Sequence, residues 1–503
     1  MKVKMFSSIR RVSLLKLNKC QTIAGCLQFS SNPPQQQNEN VTSTFHFSSQ
    51  RYYDLSGNNA GLTRREFQAR RVKLAENLAS QSPLLSTVGD GKMIMDRSID
   101  TQKNHLVIIP SAQRQYMVDK IPYLFRQATN FRYLTGSKSH NSALVLRFNG
   151  LGQELVTTLL LPDVNLKEEI WEGPQMKADE ALDVFGVDEV FHMEDLAVFL
   201  NQQINQVGIK NLVLWYDYLN PTHKDIHRTV MRLIEGSPIQ PVQSPRMAVQ
   251  RQRLLKSPQE IVAMRKAAQI SAEAINATMR TTSEHNSETK LFAKLDYESR
   301  VRGADFLAYP PVVACGDNAN VIHYTRYSSN QYVKDDLVLV DCGCDVGGYA
   351  SDITRTWPLS GRFSDAQKLI YQVVLDIHRQ LLSALSENAG KLSVDHLYKL
   401  MQAALGQHLL NIGLIPSELA NDSFRLNEAA SEFCPHHVSH YLGLDVHDTA
   451  LGMYYVCIFF VFDFDYLSVI MRGSSFTRLL LASIFPWKSN LSIQVVISSR
   501  NNS

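Results

Sequence analysis

Asp341 in LVLVDCG and Asp352 in ASDITRTWP stand eleven residues apart, and His440 follows in PHHVSHYLGLDVHD, 88 residues after Asp352. Hard carboxylate oxygens followed by an imidazole make a donor set for a divalent-metal cage. The same residues constrain the fold. LVLV reads as a buried strand, CGCDVGG as a turn and YASDITRTW as an alternating return strand. Pairing those strands sets Asp341 beside Asp352, where the two charges repel unless a cation lies between them. Gly343, Gly347 and Gly348 let the turn close tightly. Alone, the pair reads equally well as two turn-capping aspartates.

The histidine tract tips the balance toward metal. His436, His440 and His447 are candidates for ligands, proton donors or electrophilic groups. Two other pairs are set aside. His223 and His227 have ligand spacing on a helix, but Lys224 and Asp225 beside them indicate an exposed polar face. Cys342 and Cys344 lack a second cysteine pair nearby and read as small core thiols.

A chain of 503 residues is too long for one ordinary core. Its 44% hydrophobic and 20% charged content is that of a soluble globular protein, and a net charge of +3 offers nothing for nucleic acid. Seven scattered cysteines fit reduced thiols better than a disulfide framework. No acidic residue precedes Glu39, whereas Lys2, Lys4, Arg10, Arg11, Lys16 and Lys19 do, so residues 1–58 read as a mitochondrial transit peptide with a polar linker.

Strand-like runs at His105–Pro110, Ala143–Phe148, Val156–Pro162 and Leu212–Tyr216 alternate with helical stretches at Thr63–Ala79, Ala178–Phe185, Met193–Ile204 and Lys224–Glu235. That pattern predicts an α/β domain over residues 59–245, closed by the proline-rich GSPIQPVQSP. A second domain is expected over residues 246–450. Ser257, Pro258 and Glu260 signal the start of a long helix with a stripe at Ile261, Met264, Ala268, Ala272, Ile275 and Met279. Ser364 with Gln367 opens another, with stripe Ile370, Val374, Ile377 and Leu381. Ser393 opens a third, with Leu397, Leu400, Met401 and Leu409 as its stripe and Gly413 as its stop. VVACGDNANVIHY reads as a second hairpin.

Together SHYLGLDVHD, LVLVDCG, SDITRTWP, VIHYT, RLLKSPQEIVAMRKA and FRQATNFRYLTG resemble the Xaa-Pro aminopeptidases of aminopeptidase P type, within the pita-bread metallopeptidases, from about Gly61 to Asp448. The resemblance implies a creatinase-like amino-terminal α/β domain and an α+β pita-bread catalytic domain. It implies two divalent ions, usually manganese, with Asp341 binding one, Asp352 bridging both and His440 as the imidazole ligand. His323 and His436 would face the substrate, and His447 would steady the scissile carbonyl or the tetrahedral intermediate. The substrate would be a peptide or protein with proline at its second position, and the protein a possible homodimer.

The likeness stops near Ala450. The family next uses two glutamates, yet no glutamate follows Glu432 in this sequence. Two divalent ions bring four positive charges, of which the two aspartates and one hydroxide offset three, so binding is expected to be weak, above all at the second position. Asp463 and Asp465 are poor substitutes, being shorter and in the wrong setting. The apolar run Leu451–Phe462 is too short for a membrane anchor. Residues 451–503 therefore read as a divergent tail after a truncated catalytic domain, with an open sheet edge as the consequence. Three functions remain: an Xaa-Pro aminopeptidase trimming mitochondrial proteins, a prolidase-like Xaa-Pro dipeptidase, or a catalytically inactive isoform that binds partners.

Overall fold

A computed structural model describes residues 61–80, 84–87, 93–96, 103–236, 242–285, 287–325, 337–388, 392–434 and 437–449. The basic start, His436, Asp463, Asp465 and the whole tail lie outside the described residues.

The first half is a six-stranded mixed sheet covered on both faces. Its strands are β1 (Asn104–Pro110), β2 (Ala143–Asn149), β3 (Val156–Leu161), β4 (Glu189–His192), β5 (Leu212–Tyr216) and β6 (Val242–Gln243), in the order β6-β5-β1-β2-β3-β4. β1 runs antiparallel to β2 and parallel to β5, so residues alternate between two cores with period two. Val107, Leu144, Leu159 and Trp215 meet α1 (Arg64–Ser80), α2 (Thr129–Thr135) and α3 (Ala178–Phe185). Leu106, Ile108, Val145 and Leu214 meet α4 (Leu196–Val207) and α5 (Lys224–Glu235) on the other side. Burial on both faces explains why these strands read as near-continuous apolar runs.

The second half hangs on α6 (Arg246–Leu254) and α7 (Pro258–Arg280). The expected capping box is formed, with Ser257 Oγ accepting from the Glu260 N–H and Glu260 returning to Ser257 N–H. The sequence stripe on α7 is displaced, however. Ala263, Ala267, Ala268, Ser271, Ala274 and Thr278 are fully buried, while Ile261, Met264, Ala272 and Met279 are only half-buried. Small residues occupy the contact line because the helix lies close against the sheet behind it.

Beyond α8 (Glu288–Val301) come β7 (Phe306–Leu307), β8 (Val312–Cys315), β9 (Leu337–Cys342), β10 (Cys344–Val346), β11 (Tyr349–Ala350) and β12 (Ile353–Pro358). They form two antiparallel three-stranded sheets, β7-β10-β11 and β8-β9-β12. The expected hairpin at VVACGDNANVIHY does not exist. β8 passes into a 3-10 turn at Gly316–Asn320 and pairs with β9 instead. Cys315 N–H is taken by Glu288 Oε1 at 2.7 Å, and Gly316 turns the chain at φ 51°. Three helices follow: α9 (Asp365–Glu387), α10 (Val394–Asn411) and α11 (Ser423–Phe433), packed through Val374, Ile377, Met401, Leu405, Leu409 and Leu426. Leu400 is not part of that core but 44% exposed, one position round the helix from Met401. Among the described residues no helix is long and apolar enough to cross a membrane.

The hairpin joining β9 to β12 is fastened from behind. Ser271 Oγ of α7 lies 2.8 Å from Ser351 Oγ and accepts from Cys344 N–H at 3.0 Å. Tyr349 donates to Glu260 at 2.8 Å, and Glu260 also faces Arg70 of α1, so a buried polar network links both halves. Gly343 is required for a steric reason: a Cβ there would lie 1.6 Å from the Ser351 carbonyl oxygen. Gly348, at φ 98°, turns against the Arg132 guanidinium, 2.6 Å from where its Cβ would be.

Gly343→Ala is expected to spread the segment between Asp341 and Asp352 and to lower stability by about 1–3 kcal/mol or more. Urea denaturation of the metal-free protein measures this, and an unchanged midpoint would contradict the steric account.

Candidate metal centre

The register of β9 with β12 pairs Asp341 with Thr354 and Cys342 with Ile353. Asp352, immediately before β12, therefore stands alongside Asp341, as the sequence reading expects. A residue that the sequence reading passed over lies between them. The Tyr309 hydroxyl is 2.6 Å from Asp341 Oδ1 and 2.7 Å from Asp352 Oδ1. A phenol carries one proton, so it donates to one carboxylate and meets the other as a short oxygen–oxygen contact. A second proton or a cation is needed to relieve that contact.

His440 completes the line. Its Nε2 is 3.0 Å from Asp352 Oδ2, and its Nδ1–H donates to the Tyr441 carbonyl at 3.0 Å. An imidazole whose Nδ1–H is held by a carbonyl presents its Nε2 lone pair forward, the arrangement of a metal-binding histidine. Without a cation, Nε2 instead faces a carboxylate and favours a proton. Burial opposes charge on both groups. Their mutual attraction overcomes it, raising His440 above the ordinary imidazole value and holding Asp352 below the carboxylate range. Burial, and then Asp341 and Asp352, push Tyr309 well above a phenol's usual value, so it stays protonated.

The charges suit a divalent ion: two carboxylates balance one such ion, and a neutral His440 adds a donor. Among the described residues, no three His, Cys, Asp or Glu side chains are already closed into a metal cage. The Tyr309 hydroxyl bridges the two carboxylates, which also meet one another, and His440 faces Asp352 from its other oxygen.

His447 stacks edge-on against His440, with ring centroids 4.4 Å apart at 64°. Its side is open to solvent. Burial first, and then the neighbouring His440 charge, lower its pKa, and His323 adds to that electrostatic effect. His323 is itself exposed. His437 packs on Tyr398 with ring centroids 4.8 Å apart.

The two pairs set aside both have structural roles. His223 is not on an exposed face. It is 5% exposed, caps α5 by accepting from Ile226 N–H, and lies 2.8 Å from Asn141 Oδ1. His227 Nδ1 lies 3.0 Å from the Tyr216 hydroxyl. Cys342 and Cys344 are buried thiols, both pushed up by burial. Tyr309 left only a faint trace in the sequence: a tyrosine ahead of Pro310 and Pro311, where the chain leaves a short strand.

Comparison with known proteins places these residues in context. Residues 262–460 match the family described as Metallopeptidase family M24, and residues 67–213 match the aminopeptidase P N-terminal domain. The chain is 36% identical over 396 residues to human Xaa-Pro aminopeptidase 3, covering 77% of this chain and 73% of that one. It is 31% identical to Intermediate cleaving peptidase 55, mitochondrial, of Arabidopsis thaliana, covering 69% of this chain and 66% of that one. The solved structure of aminopeptidase P from E. coli aligns with a TM-score of 0.66 at 26% identity, covering 78% of this chain and 82% of that one.

Two outcomes follow from the geometry. In the metal-free protein, the raised His440 contributes stability that is complete below about pH 6.5 and fades as pH rises through its folded value. The lowered Asp352 contributes above about pH 3.9 and loses that contribution as pH falls through its folded value. The pair should therefore stabilise most between those limits, by about 1–3 kcal/mol, and His440→Ala should flatten that pH dependence in chelator-treated denaturation series. Tyr309→Phe removes the shared proton. It should cost the metal-free protein about 1–3 kcal/mol, with most of the loss recovered on adding Mn²⁺; equal loss with and without Mn²⁺ would contradict the bridging role.

Proposed function

We propose, from the premise that this chain belongs to the aminopeptidase P family of M24 metallopeptidases, that it hydrolyses the bond between an amino-terminal residue and a following proline. The observation that carries this reading is the cluster of Asp341, Tyr309, Asp352 and His440, in which two carboxylates converge and an imidazole faces one of them. Divalent metal is the family's cofactor class. Manganese, bound by Asp341, Asp352 and His440, is our assignment for this chain. When bound, such ions polarise a carbonyl and acidify water.

The chain's own groups divide the remaining work. His447 is exposed and lies edge-on to His440, with ring centroids 4.4 Å apart. It can donate an N–H to a scissile carbonyl and to the oxyanion that develops from it. His323 and His436 are assigned to the substrate side. A proline amide has no N–H to offer, so recognition must come from the shape of the cleft. Peptides and proteins with proline second are the proposed substrates, and a homodimer the proposed assembly. Mitochondrial residence belongs to the same proposal: the word stands in the Arabidopsis relative's name, and the basic, acid-free stretch from Lys2 to Lys19 fits import.

One observation favours a second reading, a weakened or inactive isoform that binds without cleaving. Among the described residues, Asp341 and Asp352 are the carboxylates that meet beside His440, and two carboxylates balance one divalent ion but not two. We therefore assign this chain one firmly held ion and slow turnover.

Metal analysis of the purified full chain, together with cleavage of an Xaa-Pro dipeptide and an Xaa-Pro-containing tripeptide, tests both readings. The expected result is about one firmly held ion per chain and slow tripeptide cleavage. Grafting the family's glutamate-bearing strands should raise the rate by about 10²–10⁴. Two firmly held ions and full cleavage without the graft would overturn the weakened site. Dipeptide cleavage alone would favour a prolidase, and no cleavage even with the graft would overturn the peptidase reading.

A further inference from the structure

His447 sits between two aspartates that are held by the same guanidinium. Arg253, near the end of α6, is 4% exposed, and its Nη2 lies 2.6 Å from Asp445 Oδ2. The same nitrogen is hydrogen-bonded to Asp448 Oδ1. Lys256 Nζ reaches the other Asp448 oxygen at 2.9 Å, and Asp448 is 3% exposed. On its far side Arg253 Nη1 donates to Asn130 Oδ1 of α2 at 2.8 Å, while Thr129 donates to Asp445 Oδ1 at 2.7 Å. Arg126, just before α2, donates to the Leu444 carbonyl at 2.9 Å. Residues 440–449 contain no helix or strand. Their path is set by these contacts, by Ala350 N–H donating to the Gly443 carbonyl at 2.8 Å, and by two internal bonds, Asp448 N–H to Tyr441 O at 3.0 Å and Gly443 N–H to Asp445 O at 3.1 Å. The loop folds so tightly on Asp448 that a Cβ at Gly443 would lie 2.4 Å from its Oδ2.

Burying Arg253 and Asp448 costs considerable desolvation, while Asp445 and Lys256 stay partly exposed, and an isolated stabilising role would be served as well by apolar packing. What the charges provide is a fixed geometry. Asp445 precedes His447 by two residues and Asp448 follows it directly, so pinning both leaves the backbone at His447 little freedom.

We propose that Arg253 is a positioning residue for His447. By holding Asp445 and Asp448 while its own Nη1 bonds Asn130 of the amino-terminal half, it fixes the His447 imidazole edge-on to His440. Its importance to catalysis rests on the proposed role of His447 at the substrate carbonyl; the positioning itself does not.

The test is NMR of the full chain labelled with ¹³Cε1-histidine, with the His447 signal assigned through His447→Gln. The buried His105 and His223, both in the amino-terminal half, report whether the fold survives. Arg253→Met should move the His447 signal by more than its linewidth, toward a solvated imidazole, with His105 and His223 unmoved. Arg253→Lys should move it less. Thr129→Val, which leaves the Arg253–Asp448 contact in place, should shift it in the same direction by a smaller amount. An unmoved His447 signal in Arg253→Met with the two reporters intact would overturn the proposal. Should Arg253→Met not fold, an unmoved signal in both Thr129→Val and Asp445→Asn would overturn it equally. The readout does not depend on turnover. A shifted signal in a chain that never cleaves Xaa-Pro peptides would sink the peptidase reading alone, and an unshifted signal in an active chain would sink the clamp alone.

Discussion

Two carboxylates facing one another across a single phenolic proton are the constraint on which the rest of this structure depends. Asp341 and Asp352 are brought together by the antiparallel register of their strands, and their charges oppose that register. Tyr309 gives one proton to the pair, and His440 supplies partial neutralisation from the other side. Metal-free, the arrangement is a compromise held by the surrounding scaffold. Two carboxylates and an imidazole brought together in this way are donors suited to a divalent cation.

Much of the surrounding architecture holds that compromise in place. The small-residue face of α7 lets the helix lie close to the hairpin, and Ser271 and Ser351 tie the two together inside the core. Gly343 admits the Ser351 carbonyl where any side chain would collide. From the opposite direction, Arg253 and Lys256 hold the loop that carries His440 and His447. The amino-terminal sheet thus bears on the chemistry through α2, whose Thr129 and Asn130 touch that clamp. Its fold contributes position, and the second half contributes the reactive groups.

Local rules made most of this legible in the sequence. The five residues of Leu212–Tyr216 and the twelve of Lys224–Glu235 form the strand and the helix that their pattern predicts, because burial and period there agree with propensity. That Asp341 and Asp352 lie side by side was readable for a different reason: the strand–turn–strand pattern sets their register. What escaped depends on long-range partners. Tyr309 acts 32 and 43 residues away from its two carboxylates, and nothing beside it in the chain marks that role. Arg253 meets Asp445 and Asp448 at separations of 192 and 195 residues. The absence of a hairpin at VVACGDNANVIHY has the same origin, since the partner strand of Val312–Cys315 comes later, beyond a turn that local alternation could not reveal.

The most direct measurement is anomalous X-ray diffraction from crystals of the full chain soaked in Mn²⁺, with data collected at the manganese absorption edge. The account predicts a strong peak between the Asp341 and Asp352 carboxylates within coordinating distance of His440 Nε2, with Tyr309 displaced from its shared position. A peak elsewhere, or none while those three side chains remain as they are, would contradict it.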